Sequence, residues 1–295
     1  MRKKILLLVS FFYISIVAFY FIETGFADEP SRQMRLGFDI SIFNENPNTT
    51  IAENQAAMSI WVSDIEKRTN ILSTQKYYKD IDSIVMDLKN NKIDLVTTTP
   101  INYLEIAKQA NVEIAYGNER KDIRYLLMVN HSINTIADLQ HKKLCIRSND
   151  QIGFLFINLL LRTNGYKELD TFFDAVIKKS DLSEVILSVF FSKADACVAT
   201  DTVYQTMTEL NPQVSKQIKV IDQSGATINI VSFFRADYPK ELKEIVKREI
   251  FNLKNNNYSK QVLTLLKIKD ILPLNDSDLD NIRDMMERYQ KFISK

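Results

Sequence analysis

Three segments of this 295-residue sequence end an apolar run in hydrogen-bonding side chains and then take up a helical pattern. "VTTTPINY" carries Thr97, Thr98, Thr99, Asn102 and Tyr103; "CIRSNDQ" carries Arg147, Ser148 and Asn149; "CVATDTVY" carries Thr200, Asp201, Thr202 and Tyr204. Hydroxyls and amides at a helix start, beside its unpaired backbone N–H groups, are suited to holding a small anion or polar molecule. Any one group alone is explained by helix capping, for which Thr, Ser, Asn and Asp are the preferred types. Three at successive junctions point to a cleft, because ligands of open α/β sheets sit beyond the carboxyl ends of the strands.

Catalysis and metal binding find less support. His131 and His141 both lie in polar, turn-like settings, and no nucleophile elbow, P-loop, dinucleotide fingerprint or zinc-protease motif is present, so no cofactor is expected. "DSDLDNIRDMME" places Asp276, Asp278, Asp280 and Glu287 at calcium-loop positions, but Asn281 stands where the sharp turn needs glycine. Acidic residues at a helix start are expected from the helix dipole alone. Cys145 and Cys197 sit in apolar strand-like runs and read as two buried thiols rather than a disulfide framework.

The elements that must position these residues alternate along the chain. "MRLGFDISIF" reads as a strand and "TTIAENQAAMSIWVSDIEKRTN" as a helix with Ala57, Ile60, Trp61 and Ile65 on one face. "ILSTQKYY", a helix capped by Asp80 or Asp82, "KIDLVTTTP" and a helix begun after Pro100 follow; "VEIAYG" and "RYLLMVN" continue the alternation. A second series comprises "KKLCIRS", a helix from Gln151 to Thr163, a strand near "FFDAVIKKS", the helix "SEVILSVFF", "ADACVAT" and "QIKVIDQ". Such βαβ repetition predicts mostly parallel sheets flanked by helices, in two α/β lobes. The tail from Pro239 reads as almost wholly helical.

At the other end, Arg2, Lys3 and Lys4 precede an uncharged run from Ile5 to Ile22, and Gly25-Phe26-Ala27 offers a cleavage site, so residues 1–27 read as a signal peptide or a retained membrane anchor. Either way the folded part is exported, and the anchor would be its sole membrane contact. Cleavage after Ala27 removes Arg2, Lys3, Lys4 and Glu23 and moves the formal charge from +1 to −1, a balance that does not suggest a nucleic-acid partner.

Three segments in order resemble the phosphonate-binding branch of periplasmic solute-binding proteins. "KNNKIDLVTTTPINYLEIAKQA" resembles the family's strand, Gly-Pro, two residues, Tyr segment, with Thr99 in place of glycine and Pro100 and Tyr103 matching. "NTIADLQHKKLCI" resembles the Asp-Leu-Lys-Gly-Lys hallmark before the second lobe, and "VFFSKADACVATDTVYQTMTELNP" the acidic strand end followed by a helix that closes in Asn-Pro. The likeness runs from about Met34 to Tyr289. It implies a type II, two-lobed periplasmic-binding-protein-like α/β fold, with lobe 1 at residues 28–124 and 229–295, lobe 2 at 125–228, and "RYLLMVN" and "INIVSFF" as crossovers between lobes that close on a ligand.

By that resemblance the chain delivers a small polar or anionic ligand, phosphonate- or phosphate-like, to an ABC permease, acting as a monomer in the periplasm and not as an enzyme. The expected ligand contacts are Tyr103, Ser148, Asn149 and Asp201, with Thr98 and Thr99 as hydroxyl and backbone donors. Two departures stand out: the family's Ser-Thr-Ser anion cradle aligns with Asp150, Gln151 and Ile152 ahead of Gly153, and its lobe 2 histidine falls at or near Leu182. A carboxylate there repels a phosphonate by about 1 kcal/mol at 4 Å in water, and by more in a closed cleft. Two readings of Asp150 stay open, a ligand with a positive group or a cap facing solvent; under either, Asp150→Ser is expected to strengthen binding of phosphate-like anions. The alternative functions are a periplasmic sensor that signals to a membrane histidine kinase or cyclic-dinucleotide enzyme, and an enzyme similar to the pyrimidine-forming thiamine-biosynthesis proteins.

Overall fold

Local capping chemistry sets out the first helices of the chain. The computed structural model describes residues 32–45, 50–118, 122–265, 268 and 270–294; the N-terminal charged and apolar segment and its cleavage point lie outside the described residues. Strand β1 (Gln33–Asp39) is followed by α1 (Ile51–Thr69), which Thr50 and Glu53 cap reciprocally. After β2 (Leu72–Tyr78), Asp80 starts α2 (Ile81–Lys89) by accepting the Ser83 N–H at 2.8 Å. β3 (Leu95–Thr98) leads through the cap Thr99 into α3 (Pro100–Ala107), whose first-turn proline lacks only an N–H that the helix leaves unpaired. β4 (Val112–Asn118) ends this part of lobe 1.

Lobe 2 runs through β5 (Tyr125–Asn130), β6 (Lys143–Arg147), α4 (Gln151–Thr163), α5 (Leu169–Phe172), β7 (Ala175–Lys179), α6 (Leu182–Phe190), β8 (Ala196–Thr200), α7 (Asp201–Leu210), α8 (Gln213–Gln217) and β9 (Ile218–Gln223). The chain then returns to lobe 1 as β10 (Val231–Arg235), α9 (Lys240–Phe251), α10 (Asn257–Leu265), β11 (Ile271–Pro273) and α11 (Asp280–Ile293).

Lobe 1 is built on a six-stranded sheet of order β11-β4-β10-β3-β1-β2, lobe 2 on a five-stranded sheet of order β7-β6-β8-β5-β9. Both are mixed rather than mostly parallel. β1 runs parallel to β2 and β3, and β6 to β7 and β8, as helical crossovers require. Of the strands that run against them, β5 and β10 are the two that arrive from the other lobe, and they therefore enter from the opposite end of their sheets; the short edge strand β11 also runs against its neighbour β4. The segments expected as crossovers thus belong to the sheets. The linking stretches before them touch through an antiparallel bridge between Ile123 and Thr227.

Two further readings are corrected. The first strand ends at Asp39 and not at Phe43, because Ile40–Glu45 winds into a 3-10 turn started when the Ser41 N–H donates to Asp39 Oδ1 at 2.9 Å. The tail is not wholly helical: Ile271–Pro273 pairs antiparallel with β4 at the sheet edge, where a proline costs no ladder bond. Cys145 and Cys197 are free, fully buried thiols in register on adjacent strands. One apolar core joins the lobes, drawing Tyr103 and Phe233 from lobe 1, Leu127, Ile146 and Phe156 from lobe 2, and Ile282 and Met285 from α11, which packs on α4.

Candidate ligand-binding cleft

The carboxyl ends of β1 and β3 build the lobe 1 wall. Asp39, 4% exposed, ends β1 and has its carboxylate taken up by three donors: Thr98 Oγ1 at 2.6 Å, Asn102 Nδ2 at 2.7 Å and the Ser41 N–H at 2.9 Å. Thr98 is thereby turned inward and fully buried, one layer behind the surface. Thr99 accepts the Asn102 N–H as the cap of α3, so the helix start, its dipole and its hydroxyl all face lobe 2.

The carboxyl end of β6 builds the opposite wall. Beyond Arg147 the Ser148 N–H donates to the Lys179 carbonyl at 2.7 Å, which carries the strand pairing into the turn. Asn149 then takes φ +58°, a left-handed conformation that asparagine tolerates better than most side chains. This reversal folds Asp150 back over the start of α4, where its Oδ1 accepts the Gly153 N–H at 3.0 Å and the Tyr125 hydroxyl at 2.9 Å. Gly153 makes room for it, since a Cβ there would lie 3.0 Å from the Asp150 carboxyl carbon. The other oxygen, Oδ2, accepts no hydrogen bond among the described residues and stands 3.6 Å from Arg147 Nη2, within ion-pair range but beyond hydrogen-bond length. Asp150 is thus a cap, as one of the open readings had it, but it is 3% exposed and does not face solvent.

Hydrogen bonds between side chains cross from wall to wall. Thr99 Oγ1 donates to Gln151 Oε1 at 2.7 Å, and Gln151 Nε2 donates to Asn102 Oδ1 at 3.0 Å. Beside this bridge lies a small pocket, lined by Thr99, Ser148 and Asn149 together with Ser41, Tyr125, Arg147, Asp150, Gln151 and Asn229.

The remaining expected contacts lie elsewhere. Tyr103 is in the shared core, its ring 5.2 Å from that of Phe233; burial, then the nearby Asp276 carboxylate, raise its phenol. Asp201 opens α7 and serves the crossover: its N–H donates to the Arg124 carbonyl at 2.8 Å and its Oδ1 accepts the Arg124 N–H at 3.3 Å. Arg124 in turn donates to the Ser224 carbonyl of the returning stretch at 3.2 Å, so Asp201 is tied to the two stretches that link the lobes. The tail acids are engaged with their own helix, Asp276 and Asp280 pairing with Arg283 and Asp278 accepting the Asn275 N–H. Among the described residues no group of three metal-ligating side chains occurs.

Sequence reasoning missed Asp39, Ser41, Tyr125 and Asn229. The strand-end rule that marked the other junctions applies equally to Asp39 and Ser41, but reading β1 through Phe43 placed both in mid-strand. Tyr125 and Asn229 belong to the crossovers, whose approach to the α4 turn leaves no local pattern.

Residues 43–279 match the family described as ABC transporter, phosphonate, periplasmic substrate-binding protein. The chain belongs to this family. Its members bind small molecules for ABC transporters, and the family implies a periplasmic location. Among solved structures it is similar to PhnD1 from Prochlorococcus marinus (MIT 9301) in complex with methylphosphonate, at 14% identity and TM-score 0.62 over 88% of this chain and 99% of that one. A binding protein component of an ABC phosphonate transporter from Pseudomonas aeruginosa matches at 17% identity and TM-score 0.60, over 89% of this chain and 88% of that one. XAC2383 from Xanthomonas citri, bound to ATP, matches at 13% identity and TM-score 0.63, over 90% and 99%. At these identities the likeness establishes the two-lobed fold. None of the curated proteins matches the chain.

Proposed function

We propose that this chain captures a small, oxygen-rich anion of the phosphonate and phosphate class between its lobes and presents it to the permease of an ABC importer. The observation that carries this reading is the opposition of two helix starts, α3 in lobe 1 and α4 in lobe 2, across a pocket of hydroxyl and amide groups. Thr99, Ser148 and Asn149 make the direct contacts, joined by Gln151. Thr98, Tyr103 and Asp201 act from behind: Thr98 through Asp39, Tyr103 as the buttress of α3, and Asp201 at the crossover that must bend for the lobes to part.

The role is binding rather than catalysis. His131 is exposed, His141 pairs at the surface with Asp174 at 2.9 Å, and neither lines the pocket. The protein works as a monomer in the periplasm, freed by cleavage after Ala27; the intact mass of the protein from its own host distinguishes this from a retained anchor. A sensor role draws on Asp150 standing in the anion cradle. Neighbouring permease and ATPase genes favour transport, and a neighbouring kinase or cyclase gene favours sensing.

Thermal unfolding in the presence of phosphate, methylphosphonate, methanesulfonate and amino acids tests the ligand class. Ligand at a hundred times its Kd stabilises the native state by about 2.7 kcal/mol. An anion in the panel is expected to raise the midpoint; a panel without any stabilising anion would overturn the reading.

A further inference from the structure

The C-terminal helix α11 belongs to lobe 1 by chain order, since β11 ahead of it pairs with β4 of the lobe 1 sheet. By packing it belongs to lobe 2. It lies on α4 more extensively than on any other described element, and its contact with α3 of lobe 1 is slighter. Ile282 is fully buried and Met285 nearly so in the core that α11 shares with α4. Further along, Tyr289 comes within electrostatic reach of Glu168 and of Arg162 in the last turn of α4. At the start of α11, Asn281 Nδ2 donates to the Ala226 carbonyl at 3.0 Å, in the stretch that returns from lobe 2. Gly225 permits this approach, because a Cβ there would lie 2.8 Å from Asn281 Cγ. Ser224 and Thr227 of the same stretch are bonded to Arg124 and Ile123 of the outgoing one. Both crossovers and the start of α11 therefore meet at one place.

We propose that α11 is a third link between the lobes, that it travels with lobe 2 when they part, and that Asn281 is the residue that positions it on the crossovers. This inference rests on the lobes closing on an anion, as in the proposed function. Sliding α11 along α4 would open an apolar interface built around Ile282 and Met285, and close-packed interfaces deform little without separating. The chain ahead of α11 bends more easily. Leu274 is held to lobe 1 by its N–H, which donates to the Ala115 carbonyl at 3.1 Å, and Leu279 is buried in the shared core. Between them Asn275, Asp276 and Ser277 are exposed. A few such residues suffice to absorb a hinge rotation. Asn281 bears on ligand binding because the stretch it holds runs on to Asn229, which lines the pocket.

Pairs of spin labels at exposed positions follow the three bodies: Lys89→Cys in lobe 1, Lys216→Cys in lobe 2 and Glu287→Cys in α11. Cys145 and Cys197 are fully buried and out of reach of the reagent in the folded protein. Distances are measured by double electron–electron resonance without ligand and with inorganic phosphate or methylphosphonate. Ligand is expected to shift the distances from the lobe 1 label to both other labels, and to leave the distance between the α11 and lobe 2 labels constant. Asn281→Ala and Gly225→Ala disturb the same contact from its two sides. Each is expected to weaken anion binding about fivefold, the equivalent of one hydrogen bond, and to broaden the spread of lobe 1 to lobe 2 distances without ligand. Circular dichroism of each variant establishes that it is folded.

A ligand-dependent distance between the α11 and lobe 2 labels overturns the proposal. Unchanged affinity and unchanged distances in folded Asn281→Ala remove Asn281 from the role. If an anion raises the unfolding midpoint while none of the three distances moves, the third link is overturned and the anion reading stands. If neither anion binds, that reading fails and this inference fails with it.

Discussion

Asp39 in lobe 1 and Asp150 in lobe 2 both end strand-to-turn segments at the cleft and are almost equally buried, yet they are satisfied in different ways. Asp39 takes three hydrogen bonds and holds together β1, the end of β3 and the first turn of α3. Asp150 takes two on one oxygen and leaves the other with only an ion-pair partner. The difference separates a structural carboxylate, whose donors have no other acceptor, from a carboxylate whose charge acts on its surroundings. Burial alone does not tell the two apart; the count of donors does.

A third carboxylate, Asp94, provides the fully paired limit. Burial would raise it, but hydrogen bonds from Arg35 and from Arg235 hold it below the usual aspartate range. Asp94→Asn is therefore expected to cause the largest loss, about 3 kcal/mol, since it removes the buried carboxylate that Arg35 and the largely buried Arg235 both pair with. Because the folded-state pKa lies below the unfolded value of about 3.9, the stabilisation is complete above that pH and drains away as the pH falls further. Urea midpoints measured from pH 6 to pH 3 should fall in the wild type and fall less in Asp94→Asn.

Asp39→Ala comes next, at about 2 kcal/mol, because it leaves the buried Thr98 hydroxyl and the Asn102 amide without their acceptor. Chemical denaturation measures it, and a loss as small as that of an exposed site would erase the distinction from Asp150. Asp150→Asn is expected to cost less than about 1 kcal/mol, since asparagine also caps helices; a larger cost would make Asp150 as structural as Asp39. Gln151→Ala should change stability least, by no more than about 0.5 kcal/mol. Its expected effect is on the lobes, because it removes both side-chain bonds across the cleft. Small-angle scattering should report a larger radius of gyration for it, and an unchanged radius would mean that the shared core alone keeps the lobes together.

Much of the fold is legible locally. The helix read from Gln151 to Thr163 has those ends, since Asp150 caps it and its apolar residues recur at helical spacing. Thr99 ahead of Pro100 likewise marks the start of α3. Strand direction is less legible, because a run such as "RYLLMVN" carries no mark of which way its neighbours run; β5 is reversed because the chain enters lobe 2 from lobe 1. The short edge strand Ile271–Pro273 is too brief to show a period of two.

The candidate site divides along the same line. Thr99, Ser148 and Asn149 line the pocket and lie at junctions that strand ends and caps reveal. Tyr103 does not, because its position one turn into α3 turns it to the core and Phe233. By itself the sequence determined most of the elements, many of their caps and, through the order of its motifs, the family; the elements and caps rest on residues within a few positions of one another. Only the tertiary structure decided that Tyr125 meets Asp150 across 25 positions, Thr99 meets Gln151 across 52 and Thr98 meets Asp39 across 59. The Thr98–Asp39 contact depends on β1 and β3 lying side by side in one sheet, the Tyr125–Asp150 contact on the packing within lobe 2, and the Thr99–Gln151 contact on how the two sheets are brought together, and no local periodicity or cap encodes any of them.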